Sequence, residues 1–417
     1  MKFIRLSLFT LSLCIICRDL TAQRNQIFQD NIKTLKSVVN GNWELLPIII
    51  LGSDDRIEIS FDEMSHDYHR FTITLSHCNS EWEESNLFVS DYLEGFNGMP
   101  ITEYEKSLNT TFNYTHYTFT LPNEDLNFKI SGNYKAYIID ESANSQTVAI
   151  ACFSVTEQVV SIDAEVTSNT VVDINNEHHQ VDLSINYNNL NIDNPDREII
   201  VKVSQNRHLN PTNVNLSPTH ISPGILKYTN NKKLTFPAGA EFRRFEIINM
   251  YDHSQNIDRI DFFDPYFHAV LLKDRIRKNY MFDKDHNGRF FIRYSLANNS
   301  NIEADYLFLH FTLESEPVKG GAAYISGDFT GNSLSSEWKM NYNTQNRCYE
   351  KTVLIKQGAY DYQYVWVPEN GETGLTNIFE GDFYETENEY LIMVYYRQSG
   401  SRYDRLVGYC NIKTESN

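Results

Sequence analysis

One short stretch of the sequence, FDKDHNGRFFI, holds residues with metal-binding chemistry at a recognisable spacing. Asp283, Asp285, Asn287 and Gly288 occupy positions one, three, five and six of a calcium-loop template. That template also requires a bidentate glutamate at its last position, and Tyr294 stands there instead. The Asn287-Gly288 pair is typical of a type I′ turn. The sequence therefore predicts a hairpin turn at this stretch and no metal site.

Other residues that could carry chemistry form no motif. His77 and Cys78 are adjacent, as are His178 and His179, whereas zinc ligands usually come in spaced pairs. The patterns GxSxG, HExxH, GxxxxGK and GxGxxG are all absent from the sequence. Two acidic residues could flank a sugar bond as in a glycoside hydrolase, but no spacing selects a pair. We therefore predict no enzyme activity, no catalytic residue, no bound metal and no cofactor.

Composition bounds the class of protein and its partners. The chain has 417 residues and a formal net charge of −19, with 41% hydrophobic and 13% aromatic residues. A chain of this length and composition is globular and is expected to form two or three domains. An acidic surface does not favour binding to nucleic acid or to anionic lipid.

The first residues have the pattern of a secretory signal peptide. Lys2 and Arg5 precede an apolar run at 6–17, and the small residue Ala22 precedes the expected cleavage site. The run is too short to span a bilayer as a mature helix. We therefore expect residues 1–22 to be removed and the mature protein to be exported.

Four cysteines remain after this cleavage. An even number in an exported protein permits the disulfides Cys78–Cys152 and Cys348–Cys410, and free buried thiols are the equal alternative. The sequence leaves both alternatives open.

Alternation of apolar and polar residues dominates the remaining sequence. It is clear at 56–61, 70–76 and 180–186, and turn pairs such as Asn97-Gly98 separate the alternating segments. This pattern is typical of antiparallel sheets with one buried face. We predict an all-β protein of three tandem β-sandwich domains, immunoglobulin-like or early-set in type, after the signal peptide. The predicted domains are 23–158, 159–316 and 317–417, with a polar acidic stretch at the first boundary and the Pro- and Gly-containing segment 314–321 at the second.

The C-terminal region resembles the early-set immunoglobulin-like modules that include glycogen-binding domains. The resemblance is carried by Gly327-Asp-Phe329, Trp338, Met340 and the GAYDYQY segment at 358–364. Sugar binding through such a module would require exposed aromatic rings. Trp338 and Trp366 are the candidate carbohydrate-binding residues, so a glycan-binding protein is the alternative function.

A longer string in the N-terminal region resembles the plug protein family of the type IX secretion system. It comprises RFTITLSHCNSEW at 70–82, SDYLEGF at 90–96 and SGNY at 131–134, and pieces such as QGAYDYQY at 357–364 extend the resemblance over the mature chain. The resemblance implies a periplasmic protein that seals the periplasmic opening of the outer-membrane translocon barrel while no substrate is engaged. It implies no catalytic residues, and membrane association only through that protein partner.

One residue of this string is a candidate partner contact. Trp82 stands among Glu81, Glu83 and Glu84, as in an edge or loop. Aromatic side chains concentrate in the centres of protein interfaces. We therefore predict that Trp82 contributes to docking.

Overall fold

The computed structural model describes residues 25–142, 145–206, 216–251, 254–369, 371 and 373–414. The predicted signal peptide, residues 1–22, lies outside the described residues. The described helices are single turns at Val89–Tyr92 (α1), Pro195–Glu198 (α2) and Ser300–Glu303 (α3), with 3₁₀ turns at Lys232–Leu234 and Asp328–Thr330. None of the helices in the described ranges has the length and apolar character that a membrane crossing requires. Strands form the rest of the regular structure, so the predicted all-β class is confirmed.

The first sandwich is built from the N-terminal third of the chain. Its strands are Gln26–Ile27 (β1), Ile32–Val39 (β2), Ile48–Ile50 (β3), Ile57–Glu63 (β4), Phe71–Cys78 (β5), Leu93–Gly95 (β6), Met99–Pro100 (β7), Glu103–Lys106 (β8), Thr115–Leu121 (β9), Leu126–Phe128 (β10), Gly132–Asp140 (β11) and Gln146–Thr156 (β12). One sheet has the order β1-β12-β11-β5-β7, with β3 parallel to β12, and the other has the order β2-β4-β9-β8.

Alternation along the strands builds the core of this sandwich. Ile57, Ile59 and Phe61 of β4 are buried against Phe71 and Ile73 of β5, which belong to the opposite sheet. Because successive side chains of a strand point to opposite faces, each sheet contributes every second residue to the core.

The rest of the described chain forms two further sandwiches. Their strands are Ser161–Thr167 (β13), His178–Asn186 (β14), Ile199–Gln205 (β15), His220–Ser222 (β16), Ile225–Tyr228 (β17), Thr235–Pro237 (β18), Arg243–Ile247 (β19), Ile257–Phe263 (β20), Tyr266–Leu271 (β21), Asp274–Arg275 (β22), Phe290–Ile292 (β23), Tyr306–Glu314 (β24), Gly321–Ser326 (β25), Asn341–Asn343 (β26), Cys348–Lys356 (β27), Gly358–Pro368 (β28), Glu389–Tyr396 (β29) and Arg405–Lys413 (β30).

The third sandwich is inserted between two parts of the second. In the second, β13, β14 and β16–β18 face a sheet made of β15, β29 and β30, and one core joins Val181, Val201 and Ile392. In the third, β19, β23 and β25 all pair with β28, and they face the sheet β20-β21-β24-β27-β26. The final strands β29 and β30 thus return to a sandwich that the chain left near residue 237.

The predicted domain boundaries fall at different places in this architecture. Residues 158 and 159 lie between β12 and β13, where the strands of the first sandwich end. Residues 316 and 317 lie between β24 and β25, inside the third sandwich, so strand pairing does not divide the chain there. Sequence patterning missed the insertion because alternation identifies strands but not their distant partners. The immunoglobulin-like or early-set assignment stays a prediction.

Candidate docking surface

The turn predicted at Asn287-Gly288 is present. Asn287 and Gly288 have φ of 54° and 86°, and the Arg289 N–H donates to the His286 carbonyl at 3.3 Å, as in a type I′ turn. The expectation that this turn closes a hairpin is wrong, because β23 after the turn pairs with the distant β28.

The carboxylates of this stretch bind backbone amides. Asp285 accepts hydrogen bonds from the N–H groups of Phe242 and Asn287, and Asp361 accepts them from His286 and Gly288. Burial raises the pKa of Asp285 to about 6, and burial together with the charge of Asp285 raises the pKa of Asp361 to about 8. Within the described residues, no group of three or more His, Cys, Asp or Glu side chains is placed to hold a metal ion. The arrangement thus holds a loop in place.

Cys78, Cys152, Cys348 and Cys410 are free thiols in this structure. Cys78 lies on β5 and Cys152 on β12, and β11 runs between these two strands. Cys348 and Cys410 belong to different sheets. Of the two alternatives that the sequence left open, the structure has the free thiols. Burial raises the pKa of Cys78 to about 12, so this thiol is not a nucleophile at neutral pH.

Trp82 lies in a loop of the first sandwich that contacts the second sandwich. Its side chain is 6% exposed. The preceding residues of the same loop bind the second sandwich: the Ser80 N–H donates to Asp404 Oδ2 at 2.8 Å, and Glu81 pairs with Lys202. A side chain with so small an exposed fraction offers little surface to an external partner, and a docking role of Trp82 stays a prediction.

Trp338 and Trp366 are also core residues. Their side chains are 7% and 5% exposed, and they pack edge-on against Phe329 and Phe379, with ring centroids 5.3 Å and 6.1 Å apart. Stacking on a sugar requires an exposed ring face. The rings of Trp338 and Trp366 therefore do not present the exposed platform that the glycan-binding alternative assigns to them.

A hydrogen bond between buried side chains also joins the first and second sandwiches. The Tyr395 hydroxyl on β29 donates to Asn133 Oδ1 on β11 at 3.0 Å. Tyr395→Phe is expected to lower the free energy of unfolding by about 1 kcal/mol, because it removes one buried hydrogen bond. Urea unfolding checks this, with Tyr68→Phe, an exposed tyrosine, as the control that should leave stability unchanged. Equal stabilities of the two variants would contradict the role of Tyr395.

Buried ion pairs predict the acid dependence of stability. Arg289 binds both carboxylate oxygens of Glu389, at 3.1 Å and 2.7 Å, and Lys413 lies 3.1 Å from the same carboxylate. Burial alone would raise the pKa of Glu389, but Arg289 and Lys413 lower it to about 2. A carboxylate in an unfolded chain has a pKa of about 4. A group with a lowered folded-state pKa stabilises the protein above the unfolded value, and this contribution is lost as pH falls through the folded value.

We therefore expect the stability advantage of the wild type over Glu389→Gln to be full at pH 7 and to shrink from about pH 4 to about pH 2. Denaturant unfolding at stepped pH measures this difference. An advantage that stays constant over the whole range would show that the Glu389 carboxylate does not have the lowered pKa.

One part-exposed group of aromatic side chains lies on the outer side of the third sandwich. On β24, Leu307, Leu309 and Phe311 point into the core, so Phe308 and His310 point outward. Outward residues of β21, β20 and the loop before β9 extend this row. We call the set the aromatic face: Phe112, Phe263, Tyr266, His268, Phe308 and His310.

Direct ring contacts make the aromatic face continuous. Phe112 stacks on Tyr266 with centroids 4.1 Å apart, and Tyr266 contacts Phe308 at 5.7 Å. His268 stacks on Phe308 at 5.0 Å, and Phe263 meets His268 edge-on at 5.3 Å. Such ring pairs contribute favourable free energy in addition to that from the apolar area that they bury.

Two histidines give the aromatic face a polar centre. His268 Nδ1 and His310 Nε2 are 2.9 Å apart, and His310 Nδ1 lies 2.9 Å from the Thr352 hydroxyl. Burial, with the charges of His268 and Arg259, lowers the pKa of His310. A hydrogen bond between two imidazoles needs one neutral ring, so the pair is suited to neutral pH.

The β20–β21 hairpin carries two exposed phenylalanine rings at the border of the aromatic face. Phe262 and Phe263 end β20 and are 54% and 62% exposed, and only Asp264 and Pro265 separate them from Tyr266. A cluster of aromatics around a proline turn was the signal that could have identified this hairpin. Exposed aromatic clusters of this kind mark interaction sites.

Comparison with known proteins agrees with an assignment to a secretion system. Residues 32–157, the first sandwich, match the model of the first domain of the type 9 secretion system plug protein. A crystal structure of a hypothetical protein from Parabacteroides merdae ATCC 43184 is 40% identical, with a TM-score of 0.92, and the match covers 94% of this chain and 100% of that chain. The comparison with curated proteins gave no match. The chain belongs to the plug protein family of the type IX secretion system.

Proposed function

We propose that the protein is the periplasmic plug of the type IX secretion system. It closes the periplasmic opening of the outer-membrane translocon barrel while no substrate is engaged, and it reaches the membrane only through that barrel. The observation that carries this proposal is the match of residues 32–157 to the first domain of the plug protein.

The construction of the molecule suits a stopper. Buried polar contacts fix the first sandwich to the others, among them the ion pair of Asp62 with Lys356 and the hydrogen bond of Tyr395 to Asn133. Side chains locked in this way limit motion between sandwiches. A rigid body that closes a wide opening must resist deformation, and these contacts supply that resistance.

The aromatic face supplies a surface for a reversible contact. It presents continuous rings outward, and all of its residues except Phe263 are only partly exposed, so most of the rings are already packed against one another before docking. A specific interface buries about 1,000 Å² or more in total, which this face can supply only together with neighbouring surface. An ordered surface loses little entropy on binding.

Recovery of partners from the envelope tests the proposal. The protein carries an affinity tag, envelopes are solubilised in detergent without active secretion, and recovered partners are identified by mass spectrometry. Recovery of a very large outer-membrane barrel is the expected result, and deletion of the protein should make that barrel leaky to small solutes. If the tagged protein recovers no outer-membrane component and its deletion changes no permeability, the plug function is wrong.

A further inference from the structure

β20 forms an open edge of a sheet. It is the first strand in the order β20-β21-β24-β27-β26 and, in the described part of the chain, pairs only with β21. In an antiparallel pair, every second residue directs its N–H and C=O away from the partner strand. The outer edge of β20 therefore offers a row of backbone donors and acceptors on which another strand can add.

The last two residues of β20 flank this edge from both faces of the sheet. Phe263 contacts His268 of the aromatic face, whereas Phe262 contacts Phe267, with ring centroids 4.9 Å apart. Consecutive strand residues point to opposite faces, so the two exposed phenyl rings lie above and below the edge. A strand added here would be covered by an aromatic ring on each side.

Charge restricts which strand fits. Residues 258–264 contain Asp258, Asp261 and Asp264 against the single base Arg259, which pairs with Asp258 at 2.9 Å and Asp261 at 3.0 Å. Charged residues on an edge strand discourage indiscriminate pairing. The excess of acid, within a chain of net charge −19, favours a neutral or basic guest and opposes pairing between two copies of this edge.

We propose that β20 receives an extended strand of the translocon component as an added β-strand. The guest strand has apolar side chains at alternate positions, which meet Phe262 and Phe263, and basic residues that face the aspartates. Backbone hydrogen bonds supply affinity, and the two rings with the aspartates supply selectivity. This inference rests on the proposed plug function, and it names the contact by which the plug is held.

Hydrogen exchange in the recovered complex tests whether the backbone of β20 forms hydrogen bonds with an added strand. Amide exchange of the peptide 257–263 is followed by mass spectrometry in the free protein and in the complex with the barrel. Strand addition is expected to slow exchange of the outward amides of β20 by at least about tenfold, because they gain hydrogen bonds. Unchanged exchange of this peptide in an intact complex would overturn strand addition and leave the plug function standing.

Photo-cross-linking distinguishes strand addition from docking on one face. A photoreactive residue replaces Phe262 or Phe263 in turn, with Phe282, an exposed ring elsewhere, as the matched control site. Strand addition predicts that both positions cross-link to one short segment of the barrel component. Cross-links from position 263 alone indicate docking on the aromatic face only and overturn the inference. If the wild-type protein recovers no barrel, both the inference and the plug function are wrong.

Discussion

Replacing Lys356 by methionine is expected to lower the free energy of unfolding by about 3–5 kcal/mol, which is the usual result of leaving a buried charge unpaired. The ammonium of Lys356 lies 2.6 Å from Asp62 Oδ2 and donates to the carbonyl of Asn301 at 2.6 Å. Both charged side chains are almost fully buried, so no water replaces the lost partner. Methionine keeps the length of the lysine stem, so the variant tests the charge and not the packing.

The remaining contacts of Asp62 show why this site is sensitive. His116 Nδ1 lies 2.6 Å from Asp62 Oδ1, and the Tyr306 hydroxyl donates to Oδ2 at 2.7 Å. Burial alone would raise the pKa of Asp62, but the charge of Lys356 and the contacts of His116 lower it to about 2. Burial lowers the pKa of Lys356 to about 8 in spite of Asp62, so both groups are charged at neutral pH. The variant therefore removes the ammonium whose charge does most to lower the pKa of Asp62.

Two further variants separate charge from packing at this junction. Lys351→Met removes a part-exposed lysine of the same strand and is expected to change stability by less than about 0.5 kcal/mol. Asp62→Asn combined with Lys356→Met removes both charges, keeps an oxygen that can accept from the Tyr306 hydroxyl, and should regain part of the lost stability. Urea unfolding of the three variants gives their free energies of unfolding. If Lys356→Met costs no more than Lys351→Met, the ion pair does not hold the sandwiches together.

The sequence predicted the local structure better than the assembly. Alternation in IEISF at 57–61 correctly indicated a strand with Ile57, Ile59 and Phe61 inward. The pairing of β15 with β29 joins residues nearly 200 positions apart, and no local pattern encodes such a partner. The insertion of the third sandwich therefore was not predictable from alternation or from turn residues.

Aromatic residues illustrate the same limit for the candidate site. The chemistry of their side chains makes Trp82, Trp338 and Trp366 the binding candidates of the sequence, and all three are buried. Phe262 and Phe263 have the same apolar chemistry, yet they are exposed because they end an edge strand at a turn. Residue type alone does not separate a core ring from a docking ring, since exposure depends on where the strand lies in its sheet.

Replacing Phe262 and Phe263 together by serine is expected to lower recovery of the barrel at least about tenfold. Exposed aromatic residues that become buried in an interface commonly contribute more than about 1 kcal/mol each, and a loss of about 1.4 kcal/mol is a tenfold change in affinity. Stability should stay within about 0.5 kcal/mol of the wild type, because the two rings are largely solvent-exposed in the free protein.

The comparison that decides this prediction uses Phe282→Ser as the matched control, since Phe282 is similarly exposed but lies outside the β20–β21 hairpin. Quantitative mass spectrometry gives the amount of barrel recovered by the double variant relative to the control, with both amounts normalised to the tagged protein. Equal recovery by the double variant and the control would show that the hairpin is not the contact. A selective loss in the double variant, with the fold intact, would place the docking contact on the third sandwich, far along the chain from the first-domain string that identifies the family. Family membership and partner contact would then lie on different sandwiches, and the buried junctions between them would be what keeps the docking hairpin in position.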